Sequence, residues 1–291
     1  MEVISSVAHM KQWSRSRLVE GKSIGFVPTM GFLHEGHLSL MRRARLENAL
    51  VVVSIFVNPT QFGANEDYAS YPRDPKNDLK KCQTAGVDAV LVPSAEEIYP
   101  PGAQTFVTVE KISTPLCGAS RPGHFRGVAT IVLKLFNIVG PTRAYFGEKD
   151  YQQLQVIRTM VRDLNVDVEI VACPTVRESD GLAMSSRNSY LSPAERRQAV
   201  CLCEALREAE SLVEHGETTS QRLIQAMSSR IRREPDANID YVRVVHPETL
   251  EDVDIVRGKA LAALAVRIGR TRLIDNRILQ TSLSGSWNPP A

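Results

Sequence analysis

The alternation of apolar and polar positions is clearest between residues 128 and 139, where Val128, Ile131, Val132, Leu135, Phe136 and Val139 recur at i, i+3, i+4, i+7, i+8 and i+11. That spacing puts all six on one face of a helix. Short β-branched runs predict strands at Ser23 to Val27, Leu50 to Val57, Ala89 to Val92, Thr105 to Val109, Arg143 to Phe146 and Val168 to Ala172. Helical spacing recurs between several of them, over Leu38 to Ala49, Asp78 to Ala85 and Tyr151 to Leu164. Alternation of this kind predicts an α/β fold built on a doubly wound, Rossmann-like parallel sheet.

Past Pro174 the texture changes. A long charged helix from about Pro193 to His215 and another from Ser220 to Arg233 precede strand-like runs at Ile239 to His246, Ala260 to Ile268 and Leu273 to Leu279. Helices followed by consecutive strands imply a smaller α+β domain with an antiparallel sheet, so the chain is expected to divide into 1–176 and 177–291. The Pro/Gly/Ser-rich tail from Ser284 is expected to fray.

Composition narrows the classes. A chain of 291 residues with 43% apolar and 23% charged residues is ordinary for a globular protein and unlike a disordered or fibrous one. Its 35 basic and 33 acidic residues are spread along the chain, so no global field for nucleic acid or an anionic membrane is expected, and any anion binding is local. The N-terminus has no apolar leader, and the longest apolar run is interrupted by Ser54, which predicts neither export nor a membrane span. Five cysteines without a C-x-x-C pair point to free thiols in a reducing compartment, by default the cytoplasm. Cys201 and Cys203, two apart on a predicted helix, face different ways and read as small core residues.

The first strand runs directly into Pro28-Thr-Met-Gly-Phe-Leu-His34-Glu-Gly-His37. A glycine turn between a strand and a helix presents backbone N–H groups at the positive end of the helix dipole, where an anion is favoured. His34 and His37 share a face of the first helical turn and could reach one phosphate; capping or surface histidines are the alternative. A zinc protease needs H-E-x-x-H rather than H-E-G-H, and neither a P-loop nor a G-x-G-x-x-G fingerprint occurs.

Polar segments follow other predicted strands, where open α/β sheets bind ligands. Asn58-Pro-Thr-Gln61-Phe-Gly63 offers two amides for hydroxyls, amides or a carboxylate, although Asn58 also suits a turn. In Gly147-Glu-Lys149-Asp150-Tyr-Gln152-Gln153, Lys149 can place a compact charge on a phosphate, and Asp150 fits an N-cap equally well. Met184-Ser185-Ser186-Arg187, at the expected domain junction, offers two hydroxyls and a guanidinium for phosphate, or is a linker with an incidental arginine. Arg121-Pro-Gly-His124 precedes the clearest helix, as cations at its N-terminus or as an exposed loop. The stretch from Glu66 to Asp74 reads as a loop that caps the next helix.

Together with Arg272-Leu-Ile-Asp-Asn276, these segments give the chain a resemblance, nearly end to end, to the pantoate:β-alanine ligase (pantothenate synthetase) family, within the H-x-G-H nucleotidyltransferase superfamily. The resemblance implies ATP-dependent ligation of pantoate to β-alanine through a pantoyl adenylate, with Mg expected through the ATP phosphates and no metal-site residue named, and a homodimer. It implies an ATP site from Met30, Gly31, His34, His37, Gly147, Lys149, Asp150, Val176, Met184, Ser185, Ser186 and Arg187, with His37 as proton donor. His34, Lys149 and Arg187 are the other charge-stabilising groups. Gln61 and Gln153 would hold pantoate, Gln61 would also touch β-alanine, and Asn58 would assist. Phe32 stands where a small residue is usual in the family. The second domain would act as a lid, and a nucleotidyltransferase that keeps its adenylylated product is the rival activity.

Overall fold

The computed structural model describes residues 1–64 and 66–281; the tail from Ser284 lies outside the described residues. Two compact units emerge. One comprises Met1–Ser113, Arg121–Glu148 and Gln153–Val176, and the other takes Thr114–Ser120 and Lys149–Gln152 together with the chain from Arg177 onward.

The N-terminal unit is built on six strands, β1 (Glu2–Ile4), β2 (Ile24–Thr29), β3 (Leu50–Ile55), β4 (Ala89–Leu91), β5 (Arg143–Gly147) and β6 (Glu169–Cys173), in the order β1-β4-β3-β2-β5-β6. All pairings are parallel, and the order reverses between β2 and β5, the topological switch point at which such sheets place ligands. Val27, Val51, Val53 and Val90 pack against Leu40 and Met41 of the helix Glu35–Glu47. The helix His124–Val139 buries its whole predicted stripe, and Phe136 meets Phe26 of β2 edge to face at 6.4 Å. Gly140, with φ 58°, ends this helix by donating its N–H to the Phe136 carbonyl.

One expectation for this unit needs correction. Thr105 to Val109 forms no strand; Phe106 is exposed with the Arg126 guanidinium over its ring, and the Val107 N–H donates to Thr130 Oγ1 at 2.9 Å instead of to a ladder. Alternation alone does not make a strand without an apolar face to bury. In the other direction, β1 and the helix Val7–Val19 exist without a predictive pattern, since that helix buries only Met10, Trp13 and Ser14.

The C-terminal unit carries an antiparallel sheet of β7 (Ala237–Val245), β8 (Lys259–Ile268) and β9 (Thr271–Gln280), with β8 central. Leu202, Leu206, Leu223 and Met227 from its helices pack on Ala262, Leu264 and Val266 of β8. The expected helix from Pro193 to His215 is instead two, Pro193–Gln198 and Cys201–Glu214, because the Leu202 N–H reaches back only three residues, to the Ala199 carbonyl. All five cysteines are buried and unpaired, and burial pushes the thiols of Cys82 and Cys201 up to about 12, which keeps them neutral. Among the described residues no helix is long and apolar enough to cross a membrane.

Candidate functional site

The turn after β2 is held from three directions. Thr29 Oγ1 donates to the Ser54 carbonyl of β3 at 2.7 Å and accepts the Gly31 N–H at 3.2 Å. Asp78, buried on the helix Pro75–Thr84, accepts the N–H groups of Phe32 at 2.8 Å and Leu33 at 2.7 Å, while Lys81 Nζ donates to the Leu33 carbonyl at 2.6 Å. Gly31 has φ 80°, and a Cβ there would lie 3.0 Å from Asp78 Oδ2 and 3.1 Å from Ile55 Cγ2, so the position demands glycine. Phe32 is also left-handed, with φ 50°, and lies half-buried rather than in the core.

His34 caps the helix Glu35–Glu47. Its Nδ1 accepts the Gly36 N–H at 3.2 Å, and His37 Nδ1 accepts the His34 N–H at 3.3 Å. The rings lie 4.1 Å apart between centroids. A ring nitrogen that accepts an N–H carries no proton, so each neutral imidazole carries its hydrogen on Nε2. Capping and anion donation are therefore compatible: the cap engages one nitrogen and fixes the other as the N–H donor.

Beyond β3, the Asn58 amide is committed to protein partners. Its Oδ1 accepts from Thr60 Oγ1 at 3.0 Å and Tyr99 OH at 2.9 Å, and its Nδ2 donates to Gln61 Oε1 at 3.0 Å and to the Gly127 carbonyl at 3.2 Å. Asn58 thus orients Gln61, whose Nε2 contacts Met30 Sδ at 3.0 Å. Met30, Asn58 and Gln61 form one hydrogen-bonded group. Gly127 packs against this loop so closely that a Cβ would collide with the Thr60 carbonyl and sit 2.7 Å from Gln61 Cα.

The basic loop before that helix is a clamp. Arg121 pairs with both oxygens of Glu66 at 2.6 Å, and its Nη2 donates to the Gln61 carbonyl at 3.3 Å. His124 Nδ1 lies 2.8 Å from the same carbonyl, which can only accept, so the proton sits on Nδ1 and Nε2 faces Arg121 Nη1 at 3.1 Å. Burial pushes the Glu66 carboxyl up, but its hydrogen bond from Arg121 prevails and holds it below the usual carboxylate value. Sequence reasoning placed Glu66 in a loop and did not pair it with Arg121, 55 residues away.

In the C-terminal unit, Lys149 has a largely buried side chain with Nζ 3.7 Å from Asp150 Oδ2, and its carbonyl accepts from Asn276 Nδ2 at 2.9 Å. Gln152 is buried and anchored to the Pro115 carbonyl and the Cys117 N–H, whereas its neighbour Gln153, in the other unit, is half-buried. Val176, the last residue of the N-terminal unit, is half-buried, as is Met184. Ser185 Oγ caps the short turn Ser186–Tyr190 by accepting the Arg187 N–H at 3.3 Å, and Ser186 is buried. Among the described residues no three His, Cys, Asp or Glu side chains are grouped to hold a metal ion.

Comparison with known proteins matches nearly the whole chain. A family model described as pantoate-beta-alanine ligase covers residues 2–278. The pantothenate synthetases of Acetivibrio thermocellus and Thermotoga neapolitana are 58% and 57% identical to the chain, over 96% of it and 100% of each of theirs. Among solved structures, the pantothenate synthetase of Thermus thermophilus superposes with a TM-score of 0.91 at 48% identity, covering 95% of this chain and 99% of that one. The pantoate-beta-alanine ligase of Francisella tularensis, complexed with beta-gamma ATP and beta-alanine, gives 0.80 at 36% identity over 96% and 97%.

Proposed function

Because the chain belongs to the pantoate-β-alanine ligase family, we propose that it condenses pantoate with β-alanine in two steps that use ATP. A pantoate carboxylate oxygen attacks the α-phosphorus and pyrophosphate leaves; the β-alanine amine then attacks the acyl carbon of the adenylate and AMP leaves. The family match over residues 2–278 is the observation that carries this reading.

The roles follow from the donors each unit presents. Adenylation builds negative charge on the α-phosphate and the leaving pyrophosphate, so preorganised cations and N–H groups supply the catalysis. In the N-terminal unit these are the Met30–His37 turn, with the Nε2–H groups of His34 and His37, and Gly147. In the C-terminal unit they are Lys149, Ser185, Ser186 and Arg187, with Asp150 and Met184 beside them. Val176 lines the nucleotide. His37 serves as proton donor to the phosphates. Gln61 and Gln153 hold pantoate, Gln61 also meets β-alanine, and Asn58 acts by fixing Gln61. The second step needs only an uncharged amine and an activated acyl carbon, so no protein nucleophile is required.

Apart from the Asp150 carboxylate, which is paired with Lys149, the donors are imidazoles, a lysine, hydroxyls and an arginine that suit phosphate oxygens, so Mg would be carried on the ATP phosphates and would screen their charge. A cytoplasmic homodimer completes the reading, and sedimentation velocity tests its oligomeric part. The central experiment is ATP/pyrophosphate exchange with and without D-pantoate. Exchange should require pantoate and fall by about a hundredfold or more in Lys149→Ala and His37→Ala. Exchange indifferent to pantoate would overturn the ligase reading, and a failure of β-alanine to elicit AMP release would point to an enzyme that keeps its adenylylated product.

A further inference from the structure

Asp275 lies on the face of β9 that also buries Leu273 and Leu279, with only 1% of its side chain exposed. A carboxylate on an apolar strand face needs full compensation. It pairs with both ends of the Arg177 guanidinium, at 2.7 and 2.9 Å, and accepts the Asn276 N–H at 2.8 Å. Arg177 in turn donates to the Gly181 carbonyl at 3.0 Å, inside a tight loop closed by a bridge between Arg177 and Ala183 and by the Glu178 N–H on the Leu182 carbonyl at 2.8 Å. The next residues are Met184 to Arg187. Their far side is tied back by Asn188 Nδ2, which donates to Glu178 Oε1 at 2.7 Å and to the Ala183 carbonyl at 3.1 Å.

Asn276, the neighbour of Asp275, reaches a different segment. Its Nδ2 donates to the main-chain carbonyl of Lys149 at 2.9 Å, across 127 residues of sequence. Two adjacent residues of one strand therefore hold the base of the Ser185–Arg187 segment and of Lys149. Lys149 lies in the short turn Glu148–Asp150 between β5 and the helix Tyr151–Asp163, and the Asn276 bond ties its main chain to β9.

We propose that Asp275 and Asn276 are positioning residues for the adenylation step, Asp275 through Arg177 and the loop bearing Ser185–Arg187, and Asn276 through the carbonyl of Lys149. This rests on the assignment of Lys149 and Ser185–Arg187 to ATP. Electrostatic catalysis depends on cations already in place when charge develops, so a main-chain tether on the lysine has kinetic weight that a purely structural bond lacks.

The test is a double-mutant cycle of Asn276→Ala and Lys149→Ala, read as ATP affinity by calorimetry and as kcat/KM for ATP in pantoate-dependent exchange. Asn276→Ala should cost about tenfold in the wild-type background and less than about twofold when Lys149 is already alanine. In the same variant, single-turnover attack of β-alanine on preformed pantoyl adenylate should stay near the wild-type rate. Asn276→Asp, the same shape without the donating amide, should reproduce the loss even where Asn276→Ala perturbs folding. Equal losses in both Lys149 backgrounds, or no loss of ATP affinity in either Asn276 variant, would overturn the proposal. If the wild-type enzyme shows no pantoate-dependent exchange, the ligase reading fails, and the calorimetric cycle still decides the tether.

Discussion

Two buried aspartates shape two loops of this molecule, one in each unit, and they are neutralised by different means. Asp78 in the N-terminal unit is met by backbone, through the N–H groups of Phe32 and Leu33, whereas Asp275 in the C-terminal unit is met by the guanidinium of Arg177. In this turn two successive N–H groups converge on one carboxylate through a left-handed backbone, the Gly31-Phe32 pair having φ of 80° and 50°. An ion pair asks nothing unusual of the residues it joins but leaves a charge uncompensated if either member is lost. The first device stores strain in the turn, and the second stores risk in the pair.

The largest effect should therefore come from the ion pair. Asp275→Asn leaves a half-buried Arg177 without its counter-charge and should destabilise the protein by about 3 kcal/mol in urea unfolding. Asp78→Asn keeps an acceptor for one N–H but turns an amide donor towards the other, with an expected loss of about 2 kcal/mol. An Asp78→Asn loss equal to or above that of Asp275→Asn would break the distinction between the two devices.

A third comparison sits within the N-terminal unit, where Glu66 and Arg121 are partly exposed and should matter less. Glu66→Gln should cost about 1 kcal/mol at pH 7. Because the folded-state carboxyl lies below its ordinary 4.5, the contribution is fully present above that value and is lost as the pH falls through the lowered one. The stability difference between wild type and Glu66→Gln, followed by denaturation from pH 7 downward, should close below about pH 4.5. A difference that widened on acidification would contradict the pairing with Arg121.

These devices also mark where sequence stops being informative. The parallel sheet is legible because Val51 to Val53 and Val90 are apolar runs between helical stripes, and the site segments are legible because they follow such runs. His34, Gln61 and Lys149 stand out by position alone. Asp78 does not, since a carboxylate within a helical pattern reads as solvent-facing, and neither does the partnership of Arg177 with Asp275, which joins residues 98 apart. Asn276 is visible only as one letter of a recurring motif; its bond to Lys149 is a product of the fold. Local pattern singles out the groups proposed to meet ligand, whereas the groups that hold them in place are defined by tertiary contacts.

Phe32 gives the smallest effect and the finest test of the strained turn. A left-handed aromatic residue is costly by about 1 kcal/mol relative to glycine, yet glycine adds freedom to the unfolded chain that offsets much of this. Phe32→Gly should consequently shift stability by less than about 1 kcal/mol, and the Asp78 bond to the residue 32 N–H should persist, because it engages backbone. Phe32→Ala retains the strain and removes the half-buried ring, so it should be the less stable of the two variants. Were Phe32→Ala the more stable, the left-handed backbone would not be the source of strain at this turn, and the contrast between a loop held by its own N–H groups and one held by an ion pair would lose its energetic basis.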